Sequence, residues 1–237
     1  MNENSSGLIG SVLSVNPRLA VFDCDGTLWS GDAGEGFFDW ELKREVVSDE
    51  IVRWARARYA DYRAGKVSED DMCGEMVTMN QGLREAEALE LARTFFAENF
   101  LQRIFPEMKA LVTRLRETGC DVWAVSSTNE WVIREAMLHV GIAQEKILAA
   151  AVATENGIIT DRLTRVPSGA GKPKAILKEI GRVPDVAFGN SRWDAEMLTL
   201  ARFPVAVNPN PDLEKLARQR MWTIYWPNGT RPARPPG

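Results

Sequence analysis

The run Leu19-Ala20-Val21-Phe22 breaks off at Asp23-Cys24-Asp25-Gly26-Thr27, and this abrupt passage from apolar to acidic constrains the fold more than any other feature of the chain. A short, continuous apolar stretch reads as a strand buried on both faces, and burial on both faces calls for a parallel sheet covered by helices. The same pattern recurs at 122–125 before Ser126-Ser127-Thr128, at 186–188 before Gly189-Asn190-Ser191, and at 203–207 before Asn208. Between these runs, Met108, Leu111, Val112 and Leu115 recur at helical spacing and stop at Gly119. Further helical stretches are expected at 129–139, 174–180, 194–202 and 211–220. Strand alternating with helix predicts a doubly wound α/β fold, in which ligands sit beyond the carboxyl ends of the strands. The polar strand ends are therefore where chemistry is expected.

Between Gly31 and Phe105 the pattern changes to long helical stretches with no buried strand, broken near Gly65-Lys66-Val67-Ser68 and Gln81-Gly82-Leu83-Arg84. The expected organisation is an α/β core over 1–32 and 105–226, an inserted all-helical cap over 33–104, and a flexible Pro-rich tail over 227–237. Residues 150–154 and 158–163, joined by Glu155-Asn156-Gly157, read as a hairpin projecting from the sheet. A hydrophobic share of 45% with 26% charged residues excludes a disordered or fibrous chain. The net charge of -4 provides no global basic field, so neither nucleic acid nor anionic lipid is an expected partner. Three cysteines in no metal-ligand spacing fit a reducing compartment, and the longest apolar run, 147–153, is too short for a membrane span, so a cytoplasmic location is expected.

Asp23 and Asp25 lie two apart, so on an extended chain their carboxylates point the same way. Such a pair can divide a displacement at phosphorus. Asp23 attacks; Asp25 protonates the leaving oxygen and then deprotonates the water that hydrolyses the aspartyl phosphate. An anionic nucleophile meeting an anionic phosphate needs cations. Mg²⁺ prefers oxygen ligands, and the Asp23 side chain, the Asp25 carbonyl, Asn190, phosphate and waters supply them, with Asp194 orienting the waters. Lys172, in Gly169-Ala170-Gly171-Lys172-Pro173 just before a helix, offsets charge on nucleophile and phosphate. Ser126 and the backbone amides of Ser127 and Thr128 can hold phosphate oxygens near a helix N-terminus.

These four stations, in this order, resemble the haloacid dehalogenase superfamily of phosphatases. Asp23-Cys24-Asp25-Gly26-Thr27 is similar to its first motif, Ser126 to the second, Lys172 to the third, and Gly189-Asn190-Ser191-Arg192-Trp193-Asp194 to the fourth. The helical insertion resembles the cap of the phosphoserine-phosphatase-like branch, and Val207-Asn208-Pro209-Asn210-Pro211 a late segment common there. The resemblance implies a Mg²⁺-dependent hydrolase of a small phosphorylated metabolite, with a cap that closes over the substrate. Transfer of the phosphoryl group to an alcohol, and a non-catalytic binding module, are the alternatives. Two departures stand out. Asn190 replaces an acid frequent in the fourth motif, and the cap stretch 69–77 lacks the arginine that phosphoserine phosphatases use to hold a carboxylate. Asp32 matches their amine-binding acid, and with Glu35 it favours a leaving alcohol that bears an amine. Oligomeric state is not legible.

Other residues have plainer readings. Alternation turns Cys24 away from the two acids as a small apolar filler. His139, before Gly141, suits the last-turn carbonyls of its helix and is assigned no chemistry. Phe38 and Trp40 read as helix core, Trp29 and Glu35 stay open, and Arg53, Arg56, Arg58 and Arg63 read as a solvated helix face, with a basic rim near the phosphate as the alternative.

Overall fold

Strand β1 (Leu19–Phe22) has no exposed residue, and its alternation sorts the two faces of the sheet. Ala20, Phe22 and Cys24 join one apolar cluster, while Leu19 and Val21 join another on the opposite face. The computed structural model describes residues 3–227 and 230, leaving aside the side chains of 3–5. Most of the tail expected over 227–237 therefore lies outside the described residues. Among the described residues, seven strands form one sheet in the order β4-β3-β2-β1-β5-β6-β7. The others are β2 (Asp121–Asn129), β3 (Ile147–Glu155), β4 (Ile158–Arg165), β5 (Val186–Gly189), β6 (Phe203–Val207) and β7 (Thr223–Tyr225). Every pairing is parallel except β3 with β4.

One face is covered by α1 (Glu3–Ser14), α6 (Pro106–Glu117) and α7 (Glu130–Val140), through Leu8, Met108 and Trp131 among others. The other is covered by α8 (Gly171–Glu179), α9 (Ala195–Leu200) and α10 (Pro211–Gln219), through Ile176, Met197 and Leu213. This is the doubly wound α/β fold expected from the sequence. Two elements go beyond the expectation, α1 and β7. The first lies before any strand signal, and the second is a three-residue edge strand too short to show a pattern. Among the described residues, no helix is long and apolar enough to cross a membrane.

Residues 33–104 hold α2 (Ala33–Lys43), α3 (Asp49–Arg63), α4 (Glu69–Thr78) and α5 (Glu85–Asn99). The first three share a small apolar cluster around Phe38, Leu42, Ala55 and Met72. Ser48 and Ser68 cap α3 and α4 by accepting the amides of Ile51 and Asp71. α5 belongs elsewhere: its Ala88, Ala92, Phe95 and Phe96 are part of the main cluster.

The hairpin falls on the expected residues, with its first strand starting three residues earlier. β3 begins at Ile147, pairs parallel with β2 and then antiparallel with β4, so the hairpin is the edge of the sheet itself. Its tip is not free. Gly82 N donates to Ile159 O, Ile159 N to Leu83 O, and Glu85 N to Gly157 O, each at 2.9 Å. An edge strand presents unpaired backbone groups, and the segment before α5 satisfies them.

Candidate active site

Four strand ends and two helix starts converge above β1. Asp23 follows the strand directly, and its own amide donates to Phe188 O at 2.9 Å, which ties it to β5. The chain then turns at Gly26 (φ +71°), against which the Asn190 side chain is packed so closely that a Cβ would lie 1.8 Å from Nδ2. Only glycine accepts both the left-handed backbone and that approach. Asn208 Nδ2 donates to Gly26 O at 3.2 Å and Asn210 N to Asn190 O at 2.8 Å, so the late Val207–Pro211 segment buttresses the same turn.

Asp23 is buried and fully engaged. Oδ1 accepts from Lys172 Nζ at 2.7 Å, and Oδ2 from the Thr27 hydroxyl at 2.8 Å. Lys172 lies within the first turn of α8, a turn earlier than the helix expected at 174. Its ammonium also donates to Asp194 Oδ1 at 2.5 Å and to Val125 O at 3.1 Å. Burial favours the neutral amine, but the charges of Asp194 and Asp23 outweigh it and keep the ammonium protonated. Burial, then the charge of Asp194, pushes the Asp23 carboxyl above its ordinary range, against the pull of Lys172.

Asp194 is 1% exposed and does not line the cavity. Its Oδ2 accepts from the amides of Asn190 (3.0 Å) and Ser191 (2.9 Å) and from the Ser191 hydroxyl. The carboxylate thus locks the loop after β5 onto Lys172. Gly189 makes room for it, since a Cβ there would come within 2.5 Å of Asp194 Cβ.

Asp25 faces the cavity with Asp23, as the spacing anticipates. Three donors hold it: Trp29 Nε1 at 2.8 Å, Ala33 N at 2.6 Å and the Thr128 hydroxyl at 2.7 Å. Burial first, and then the charge of Asp32, pushes its carboxyl up to about 7, against the Ala33 and Thr128 hydrogen bonds. An acid poised there can give and retake a proton near neutrality. Trp29, left open by the sequence, is fully buried and packs edge-on against Phe96. Its place four residues after Asp25 on a turning chain is the signal that could have identified it.

The register of β2 against β3 shifts between Val125 and Asn129, so Ser126, Ser127 and Thr128 bulge at the strand end. Ser127 and Thr128 line the cavity, whereas Ser126 is 1% exposed and its hydroxyl accepts from Thr128 N at 3.1 Å. Asn129 caps α7 by accepting from Val132 N. Asp32 caps α2 by accepting from Glu35 N at 2.8 Å, and both acids line the mouth. His139 pairs with Glu135 at 3.0 Å and stacks on Phe96 rather than serving the helix-end carbonyls, away from the site. Cys24 is buried in the main cluster, and burial pushes its thiol up, which makes it inert.

These residues surround a cavity of about 450 Å³, whose far wall is built by α3 and α4. That wall contributes Tyr59, Tyr62, Glu69 and Met72, none of them singled out in the sequence. Among the described residues, no three His, Cys, Asp or Glu side chains are grouped to hold a metal. The donor set that is present fits Mg²⁺ all the same. One carboxylate, one carbonyl and one amide suit a hard cation that keeps several waters. The charges agree: Asp23 and Asp194 share one ammonium, and Asp25 adds a further buried carboxyl, so the site has negative charge to offset.

The model of the haloacid dehalogenase-like hydrolases matches residues 20–199. The chain is 27% identical to a histidinol-phosphatase of Neisseria meningitidis, over 87% of this chain and 97% of that protein. It is 25% identical to the phosphoserine phosphatase SerB1 of Mycobacterium tuberculosis, over 86% of this chain and 69% of that one. Its fold matches that of a protein of unknown function from Bordetella pertussis Tohama I with TM-score 0.78 at 20% identity, covering 88% and 97% of the two chains. With all four motif stations inside or at the edge of one cavity and the family model spanning most of the sheet, this chain belongs to the haloacid dehalogenase-like hydrolases.

Proposed function

We propose that the protein is a Mg²⁺-dependent phosphomonoester hydrolase of a small metabolite that works through a phosphoaspartate on Asp23. The observation that carries this reading is the buried Asp23–Lys172–Asp194 chain, with Asp25 held beside it on the same cavity. Lys172 and Thr27 fix both oxygens of Asp23, so the nucleophile is oriented before substrate arrives. The Lys172 ammonium offsets charge as the phosphoryl group is transferred.

Asp25 protonates the leaving alcohol oxygen in the first step, and the P–O bond to that alcohol breaks as the bond to Asp23 forms. Now ionised, Asp25 takes a proton from water, whose oxygen attacks phosphorus and frees Asp23 with release of phosphate. The three donors from Trp29, Ala33 and Thr128 suit Asp25 to this alternation, because they orient it and support its anionic form between steps. Ser127, bulged at the end of β2 and lining the cavity, is assigned to the phosphate oxygens, whereas the Thr128 amide is taken up by the Ser126 hydroxyl. Asp23, the Asp25 carbonyl and Asn190 would hold Mg²⁺, which when bound polarises the phosphoryl group and screens its charge.

The test is phosphate release from a panel of small phosphomonoesters, histidinol phosphate and phosphoserine included. EDTA and Asp23→Asn serve as controls. Release that requires both the metal and Asp23 supports the reading. Undiminished release from Asp23→Asn overturns it.

A further inference from the structure

We propose that the cap-side wall of the cavity selects a phosphomonoester whose leaving alcohol is positively charged, its cation resting on the Tyr59 and Tyr62 rings and facing Glu35 and Glu69. This rests on the hydrolase reading above, which supplies the reason for a substrate to be in the cavity at all. α3 presents the two tyrosines three residues apart, with ring centroids 5.7 Å apart and planes at 41°. Each phenol is tethered by its hydroxyl: Tyr59 donates to Glu35 Oε1 at 2.5 Å, and Tyr62 donates to Glu69 Oε2. The hydroxyls are thereby committed, and all four residues line the cavity. Aromatic faces with carboxylates at their edge recognise an ammonium, quaternary ammonium or imidazolium group, which needs electron-rich surface and compensating charge together.

The distribution of cations points the same way. Lys172, on the floor, is consumed by Asp23 and Asp194 and cannot also hold a carboxylate on the leaving group. On the cap side, the cationic residue lining the cavity is Arg63, exposed at the rim. Asp32, Glu35 and Glu69 therefore outnumber it. A carboxylate on the leaving alcohol meets like charge there, whereas an ammonium meets three acids. Met72 and Met76 supply an apolar surface beside them, suited to the hydrocarbon between phosphate and cation.

The experiment compares kcat/KM for isosteric pairs: phosphocholine against 3,3-dimethylbutyl phosphate, in which carbon replaces the quaternary nitrogen, and phosphoethanolamine against propyl phosphate. 3-Phosphoglycerate stands for an anionic leaving group, and p-nitrophenyl phosphate reports on hydrolysis as such. The expected result is a preference of at least about tenfold for the cationic member of a pair, with 3-phosphoglycerate slowest. Glu69→Gln and Tyr62→Leu, each checked for an unchanged circular dichroism spectrum, should shrink the cationic-to-neutral ratio mainly through KM. Equal rates within both pairs, or a preference for 3-phosphoglycerate, overturn the inference while the p-nitrophenyl phosphate signal preserves the hydrolase reading. Absence of release from every compound overturns that reading and the inference with it.

Discussion

The floor of the cavity and its cap-side wall are built to different standards. On the floor, Asp23, Thr27, Lys172 and Asp194 are almost fully buried, and every carboxylate oxygen of the two acids has a donor. Those donors come from the turn after β1, from α8 and from the loop after β5, so three distant segments agree on one geometry. The wall over α2–α4 is looser. Its apolar cluster is small, its Arg58–Glu75 pair is partly solvated, and Glu41 sits buried in α2 with no cation beside it among the described residues, only the Asn80 side chain set against its carboxyl. On the proposed reading, the difference separates two tasks. A displacement at phosphorus needs fixed partners, whereas recognition of a leaving group tolerates a wall of independent contacts.

The comparison breaks most severely at Asp23. Asp23→Asn should lower turnover by about 10⁴-fold or more, measured as phosphate release, while circular dichroism stays that of the parent. Lys172→Met comes next, because it leaves two buried carboxylates without their shared cation. It should cost about 3–5 kcal/mol in chemical denaturation as well as activity, and an unchanged midpoint would show that the floor is not the rigid element described here.

On the wall the sign reverses. Burial pushes the Glu41 carboxyl well above its ordinary range, with the Asn80 side chain opposing. Between the unfolded value near 4.5 and that raised folded value, the folded chain binds more protons than the unfolded one, so stability falls as pH rises through this window. Glu41→Gln should therefore stabilise the protein by about 1–3 kcal/mol at pH 8, with the gain vanishing below pH 4.5, as read from thermal midpoints across pH. A destabilised variant at pH 8 would place Glu41 among satisfied groups. The smallest effect expected is that of Trp29→Phe, which removes one donor from Asp25. A single hydrogen bond of about 1 kcal/mol corresponds to a several-fold fall in kcat. Losing a bond to the anionic form makes Asp25 a weaker acid, so the pH profile of kcat should move to higher pH.

Much of the floor was legible in the sequence because strands buried on both faces end abruptly at their chemistry. The runs at 19–22, 122–125, 186–188 and 203–207 each fall on a strand. The side-chain pairings were less so. Thr128 meets Asp25 across 103 residues and Asp194 captures the amides of its own loop, and neither bond leaves a pattern along the chain. The hairpin was legible, but local turn chemistry at Asn156-Gly157 does not say what covers its tip, which is a segment some seventy residues earlier. The wall was the least legible. Tyr59 and Tyr62 look like any aromatic pair on a helix, and their place on the cavity depends on how α3 packs over β1's end.

The central claim is that Asp23 becomes covalently phosphorylated. It is tested most directly by quenching the protein during turnover with Mg²⁺ and a cleaved substrate, reducing with borohydride, and sequencing the peptide that spans residue 23 by mass spectrometry. An aspartyl phosphate is reduced to homoserine, so the account predicts homoserine at position 23 and nowhere else. Steady release of phosphate with Asp23 recovered unmodified under the same quench would contradict it.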